Sequence, residues 1–330
     1  MSSRRNIMFG LGAVAATPMV VFSQQRSKVW RIGFLGLRTR STFAKPDVYY
    51  DAFAQGLQEL GYIDGKNIVI EWRFADGKAD RLPGLAAELV ALKPDVIVTH
   101  STIATSVAKR ATTSIPIVSA TVTDPVGNKI VETLARPGGN VTGLADISLD
   151  ISAKRLELLK KLVPNVARVA VLSNPSNPAH QSVFDNIRVA AGHFGITVVR
   201  VNAKVAEEIE AGFGAMLRER VNALIVNADG LFVGQGAQIA RLAIQNRIPS
   251  MFAFRENVLD GGLISYGQDL TVSYRKAAAY VDKILKGAKA ADLPIEQPTL
   301  LHMVINRRTA KSLGIGESEE LVLRADEVID

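Results

Sequence analysis

Short apolar runs alternate with helical stretches along most of the chain, and this alternation restricts the fold more than any other feature. In the first half the runs lie at residues 31–36, 68–72, 96–98, 115–119 and 141–145. They have the length and bounding polar residues of buried parallel strands. Strands separated by helices of about 10 to 15 residues form βαβ units. We therefore predict a parallel sheet covered by helices.

The same pattern starts again near residue 150. Its apolar runs lie at 168–172, 196–201, 223–226, 250–254 and 261–266. The two halves are not visibly alike in sequence, so only the pattern repeats. Each half has the size of an ordinary domain, which predicts two similar α/β lobes. We assign residues 31–147 to the first lobe and 148–265 to the second, and residues 266–330 to a tail that crosses back to complete one or both.

The N-terminal segment has the three parts of a secretory signal. Arg4 and Arg5 supply the positive charge, residues 7–22 are apolar or small, and a tolerable cleavage site lies near Ser23. Residues 1–23 are thus predicted to be removed, and residues 24–30 form a polar spacer. The paired arginines suggest the twin-arginine (Tat) route, although the following residues fit it imperfectly, so the Sec route stays open. An uncleaved N-terminal anchor is the alternative.

Composition excludes several classes of site. The chain has no cysteine, which excludes disulfides, thiolate metal sites, cysteine nucleophiles and a lipid-anchored export signal. Of the formal charge of +7, two charges belong to the signal, and the other Lys and Arg residues are scattered. Nucleic-acid binding is not predicted, because no basic stripe interleaved with aromatic residues is present.

One strand-to-helix turn could hold an anion. The run 96–98 is followed at once by His100, Ser101 and Thr102, and either hydroxyl residue suits a helix N-cap. Such a turn directs free backbone N–H groups towards the space beyond the carboxyl end of the strand, where ligands of parallel sheets bind. The alternative is an ordinary capped turn. His100 either shapes the pocket or only ends its strand.

Two acidic residues also follow predicted strands. Asp229 lies after the run 223–226 and before Gly230, where it could pair with a cation such as a ligand ammonium, or else cap the next helix. Asp124 has the same ambiguity, with capping favoured. Among the other residues at strand ends, Asn174 offers an amide, and Phe254 and Tyr266 could stack on a planar ligand or belong to the core.

No catalytic or metal-binding pattern accompanies these residues. The four histidines have no metal-ligand spacing, and neither a Gly-x-Ser-x-Gly elbow nor a phosphate-binding Walker loop occurs. The sequence therefore predicts no metal, no cofactor and no catalytic residue. The histidines are His100, His180, His193 and His302.

Several longer motifs resemble one protein family. They include Gln58-Glu-Leu-Gly-Tyr62, Leu134-Ala-Arg-Pro-Gly-Gly-Asn-Val-Thr-Gly143, Tyr280-Val-Asp-Lys-Ile-Leu-Lys-Gly287, Ala291-Asp-Leu-Pro-Ile-Glu-Gln-Pro-Thr299 and Arg324-Ala-Asp-Glu-Val328. From about residue 31 to the C-terminus the chain looks like the periplasmic substrate-binding proteins of ABC transporters, in the tryptophan/tyrosine-binding family.

The resemblance implies both an architecture and a function. The fold would be of type I periplasmic-binding-protein kind: two Rossmann-like lobes with parallel sheets, joined by hinge crossovers, that close on a ligand. The protein would be a periplasmic monomer that serves an ABC permease and its ATPase at the inner membrane. By the same resemblance, the ligand carboxylate maps to Ser101 and Thr102, and its ammonium to Asp229. Many relatives have Gly-Thr or Gly-Ser where this chain has His100-Ser101-Thr102.

Our hypothesis from sequence is the capture of a small ligand, an amino acid or similar carboxylate, in the cleft between the lobes. A ligand-sensing domain for a receptor or regulator is the main alternative. An enzyme on the same scaffold is less favoured, since it would need paired acid and base groups across the cleft.

Overall fold

The computed structural model describes residues 28–39, 47–316 and 318–330. The predicted signal at 1–23 lies outside the described residues. The first lobe is built on a parallel five-stranded sheet in the order β2-β1-β3-β4-β5. Its strands are β1 (Trp30–Gly36), β2 (Ile68–Phe74), β3 (Val96–Thr99), β4 (Ile117–Thr123) and β5 (Val141–Asp146).

Helices cover both faces of this sheet. They are α1 (Val48–Glu59), α2 (Leu82–Ala91), α3 (Thr102–Ala111) and, from the tail, α10 (Leu270–Leu285). Side chains alternate along β3, so that Val96 and Val98 join the core under α1 and α10 while Ile97 joins the core under α2 and α3. A strand buried on both faces is continuously apolar, which is why these runs were visible in the sequence.

The second lobe has seven strands in the order β12-β11-β10-β9-β8-β6-β7. They are β6 (Arg168–Ser173), β7 (Thr197–Asn202), β8 (Ala223–Val226), β9 (Ser250–Phe252), β10 (Ile264–Gly267), β11 (His302–Asn306) and β12 (Glu327–Ile329). All neighbours are parallel except β10 and β11. The lobe's helices are α4 (Ser152–Leu162), α5 (Ala179–His193), α6 (Ala206–Arg218), α7 (Gly230–Gly234), α8 (Gly236–Gln245), α9 (Arg255–Leu259), α11 (Arg307–Ser312) and α12 (Glu319–Arg324).

The tail contributes to both lobes. Helix α10 packs against α1 of the first lobe, where the rings of Tyr49 and Tyr274 stack with centroids 5.5 Å apart. Glu296 then pairs with the backbone of β5, and β11 and β12 extend the second sheet. The chain therefore crosses between the lobes after β5, after β10 and before β11.

One expected helix is absent and another is broken. The βαβ pattern predicts a helix between the apolar runs 115–119 and 141–145, ending at Leu134. This stretch instead forms turns and bends, because Asp124 and Lys129 adopt positive φ angles of 46° and 54°. The same pattern predicts one helix, ending at residue 246, between the runs 223–226 and 250–254, but this helix is split into α7 and α8. Of the helices in the described part of the chain, none combines the length and apolarity that a membrane span requires.

The strand order fixes where a ligand can bind. In the first sheet the order of connection reverses between β1 and β3, and the equivalent reversal in the second lies between β6 and β8. Open α/β sheets bind ligands at such switch points, outside the carboxyl ends of the strands. The loops after these four strands are therefore the expected place for a site.

Candidate functional site

A cavity lies between the two lobes at both switch points. It comprises about 400 Å³ of space free of protein atoms, part of it open to solvent. First-lobe loops and α10 line one side, and second-lobe loops line the other. The lining residues are Arg38, His100, Ser101, Thr102, Thr121, Thr123, Asp146, Leu270 and Tyr274, and across the cleft Asn177, Ala228, Asp229, Gly230, Val233 and Phe254.

The lobes are in contact beside this cavity. A methyl group placed on Gly230 of the second lobe would lie 3.3 Å from Leu37 Cδ2 and 3.5 Å from His100 Cε1 of the first. Gly77 of the first lobe approaches Leu231 of the second in the same way. The cleft is therefore closed.

Closure requires a small residue at Gly230. We expect Gly230→Val to weaken ligand binding by about 2 kcal/mol, or about 30-fold, because the added methyl groups overpack the closed interface. The open form should tolerate them, so the melting temperature without ligand should change little. Calorimetric titration with ligand measures the effect. Gly234→Val is the matched control, since no atom lies within 4 Å of a Cβ added to Gly234; equal losses in both variants would contradict the prediction.

The N-terminus of α3 forms one end of the cavity. Ser101 adopts a φ of 79° as the N-cap, its N–H donates to the Thr121 carbonyl at 3.0 Å, and its hydroxyl accepts weakly from the Ala104 N–H. Thr102 Oγ1 accepts from the Thr123 N–H at 3.0 Å, which leaves the Thr102 O–H free to donate to a ligand. Together with the free N–H groups of the helix, this end suits an anion.

Two buried donors at the same end of the cavity have unused capacity. Thr121 Oγ1 and Arg38 Nε, in residues 8% and 7% exposed, have no hydrogen-bond partner within the described chain. The Arg38 guanidinium lies over the rings of Tyr49 and Tyr50 and forms a 2.9 Å ion pair with Asp47. A buried donor without a partner is costly, and a ligand acceptor would relieve that cost.

His100 is a buried neutral ring. Its Nε2 accepts the Leu37 N–H at 3.1 Å and lies 3.2 Å from the Tyr50 hydroxyl. Burial, together with the nearby Arg38 charge, lowers the pKa of His100 well below its usual value. The ring thus fixes the loop after β1 against the loop after β3, and it also meets Gly230 when the lobes close.

Asp229 forms the opposite end of the cavity. Its carboxylate accepts from the Leu231 N–H at 2.9 Å, from Asn174 Nδ2 at 3.2 Å and from Asn177 Nδ2 at 2.9 Å. The residue is therefore a helix cap as well as a cavity residue. A carboxylate has about four acceptor positions, so about one is left for a cation in the cavity.

His180 links the two loops that carry Asn174 and Asp229. The Asn174 N–H donates to His180 Nδ1 at 2.8 Å, so Nε2 carries the proton and donates to the Ala228 carbonyl at 3.2 Å. Burial lowers the pKa of His180, although Asp229 opposes the shift, and the ring is neutral in this tautomer. No feature of the sequence distinguished His180 from an ordinary helix residue.

The predicted site residues are thus divided by the structure. Ser101, Thr102, His100, Asp229 and Phe254 line one cavity, and Asn174 supports Asp229 from just outside it. Asp124 and Tyr266 are not among the lining residues. The Asp124 carboxylate accepts the Gly127 N–H at 2.9 Å within a turn. Tyr266 packs on the second-lobe core, and its carbonyl accepts from Arg155.

Most of the lining residues were not singled out from the sequence, among them Arg38, Asp146 and Tyr274. Arg38 stands in the loop after β1, and Asp146 is the last residue of β5, one beyond the predicted strand. Tyr274 comes from α10, whose packing on the first lobe no local pattern reveals. Position directly after a strand is the signal that could have identified Arg38 and Asp146.

Comparison with known proteins adds an independent line of evidence. Residues 45–329 match the family described as ABC transporter substrate binding protein. A tyrosine-binding protein of Clostridioides difficile (strain R20291) is 30% identical over 264 residues, which cover 80% of this chain and 75% of that protein.

Solved structures bear on the closed state of the cleft. An ABC domain from Streptococcus pneumonia in complex with L-Trp is 28% identical and has a TM-score of 0.82, with 91% of this chain and 99% of that chain covered. The ligand-free, open structure of a Clostridium difficile substrate binding protein with adhesive properties is 27% identical, with a TM-score of 0.62 and coverage of 92% and 99%. At nearly equal identity, this chain thus superposes better on the ligand-bound protein.

Proposed function

Because the chain belongs to the ABC transporter substrate-binding protein family and binds a small solute, we propose that its ligand is a free α-amino acid with an aromatic or other apolar side chain. The fold is that of the type I periplasmic binding proteins. Capture and delivery, with no covalent chemistry, follow from hinge closure of the lobes around the ligand.

The bipolar lining of the closed cavity is the observation that carries this proposal. The N-terminus of α3, with Ser101, Thr102 and Thr121, offers donors to a carboxylate on the first lobe. Asp229 on the second lobe offers acceptors to an ammonium. An α-amino acid presents both groups on adjacent atoms, so a single ligand can satisfy both lobes only when they close.

The rest of the wall suits an apolar side chain. Phe254 and Tyr274 supply aromatic surface, and Leu270 and Val233 supply aliphatic surface. Burying a large apolar side chain contributes about 1.5 to 3 kcal/mol to binding. The relatives point the same way, since one is named for tyrosine and another was solved with L-Trp.

The proposed setting is extracytoplasmic, as for the family. We propose export through the segment 1–23, cleavage near Ser23, and action as a periplasmic monomer. Its partners would be an ABC permease, which receives the amino acid from the cleft, and the ATPase that drives it.

A ligand panel tests the proposal. L-Tryptophan, L-tyrosine, L-phenylalanine and L-leucine should each be compared with analogues that lack one polar group, such as tyramine and 3-(4-hydroxyphenyl)propionate. An amino acid at about 100 times its Kd should stabilise the protein by about 2.7 kcal/mol in a thermal-shift assay. Sugars and nucleobases serve as controls. Equal binding of an amino acid and both its one-group analogues would contradict the bipolar site.

A further inference from the structure

We propose that Asp146 is a second ligand for the substrate ammonium, so that Asp146 of the first lobe and Asp229 of the second clamp one cation between the lobes. The inference rests on the proposed function and extends it. It assigns the cation site to a pair of carboxylates, of which each lobe supplies one.

Asp146 is held rigidly at the edge of the cavity. One carboxylate oxygen accepts from Thr123 Oγ1 at 3.0 Å and the other from the Ser148 N–H at 2.6 Å. The residue is 7% exposed and lines the same cavity as Asp229. Two of about four acceptor positions are used, which leaves capacity for a ligand N–H.

Asp146 of the first lobe and Asp229 of the second line the same closed cavity. Asp229 Oδ2 is 3.8 Å from His180 Nε2, and the charge of Asp146 also acts on this ring. Both charges raise the pKa of His180 against the larger effect of burial. Because the ring stays neutral, it does not balance the two negative charges.

The nearby cations are engaged elsewhere. Arg38 is paired with Asp47 and packed on tyrosine rings. Arg155, the cation that acts on Asp146, donates to the Tyr266 carbonyl at 2.8 Å and to Ser148 Oγ at 3.3 Å, and burial lowers its pKa to about 10. Arg155, which is not among the lining residues, thus offsets part of the Asp146 charge, and the cavity itself is left with an excess of negative charge.

This arrangement makes closure of the two lobes depend on a bound cation. Without ligand, closing the lobes brings two like charges together in a poorly hydrated space, which favours the open form. A primary ammonium has three N–H donors and can satisfy both carboxylates at once. The unpartnered Thr121 Oγ1 and Arg38 Nε line the same cavity and can donate to the acceptor group of the same ligand.

Asp146→Asn tests the clamp against ligands with and without the ammonium. The probes are L-tryptophan with 3-indolepropionate, and L-tyrosine with 3-(4-hydroxyphenyl)propionate, measured by calorimetry. We expect the variant to bind the amino acids about 10- to 30-fold more weakly, since a charge-assisted hydrogen bond is lost. Affinity for the deaminated acids should stay the same or rise, and this retained binding also shows that the variant folds.

The outcomes separate the inference from the proposed function. Equal weakening of amino acids and deaminated acids, or no weakening of either, overturns the role of Asp146. Failure of the wild-type protein to bind any amino acid overturns the proposed function instead. A measurement without ligand completes the test. In small-angle scattering, the ligand-free Asp146→Asn protein should have a smaller radius of gyration than wild type. An unchanged radius of gyration would overturn the proposal that repulsion between Asp146 and Asp229 favours the open form. Asp124→Asn, which removes a carboxylate outside the cavity, is the matched control.

Discussion

Replacing Asp229 by asparagine is expected to weaken amino-acid binding on the order of 100-fold. The substitution removes the negative charge that we propose to face the ligand ammonium, and breaking a buried charge pair of this kind costs about 2 to 5 kcal/mol. It also sets an amide against the donors of Asn174, Asn177 and the Leu231 N–H, one of which then loses its acceptor. Titration calorimetry with L-tryptophan and L-tyrosine measures the loss.

The control for Asp229 is again Asp124→Asn, which should bind like wild type. A moderate fall in thermal stability is expected for Asp229→Asn alone, because the carboxylate also caps α7. Thermal unfolding without ligand separates this effect from binding. Unchanged affinity of a folded Asp229→Asn protein would place the ammonium elsewhere and remove the main support for the bipolar site.

Gly143→Ala is expected to lower the free energy of unfolding by about 3 kcal/mol or more. Gly143 lies in β5 with a φ of 126°, which is strained for any other residue. An added Cβ would lie 2.1 Å from the Ser119 carbonyl oxygen of β4, where the register of the two strands shifts. Relief requires the backbone of a buried strand to move, so strain and overpacking add together.

Urea unfolding followed by circular dichroism measures this change. The midpoint urea concentration should be lower, and the dependence of the unfolding free energy on urea concentration should be unchanged. Gly139→Ala is the control, since no atom lies within 4 Å of its added Cβ and its φ is not positive. Its effect should be within about 0.5 kcal/mol. Equal midpoints for the two variants would show that β4 and β5 separate more easily than this packing indicates.

The fold class predicted from sequence is confirmed, as is the family, because buried parallel strands and their helices leave a strong local pattern. The predicted bounds of a strand were close to the observed ones where burial on both faces makes the strand continuously apolar, as in β3 and β8. The helix predicted after Gly127 and up to Leu134 is wrong, because the positive φ values of Asp124 and Lys129 leave no mark in the sequence pattern. Strand order and the packing of α10 depend on contacts between distant segments, and no local signal carries them.

Sequence reasoning could predict only those residues of the candidate site that follow the end of a predicted strand. Ser101, Thr102 and Asp229 follow strands directly, so the rule for parallel sheets places them at the cleft. The same rule does not separate Asp124, which turns back on its own loop, from Asp146, which reaches the cavity. That difference depends on one backbone dihedral and on a neighbouring hydroxyl, and both are properties of the folded chain.

The crossing of α10 has a consequence for biosynthesis. The first lobe buries Tyr274, Ala277, Ala278 and Val281 of this helix, yet α10 is made only after most of the second lobe. The second lobe in turn needs β11 and β12, which come later still. A nascent chain therefore has no finished core until nearly all of it has left the ribosome, and the two lobes become stable together rather than one after the other.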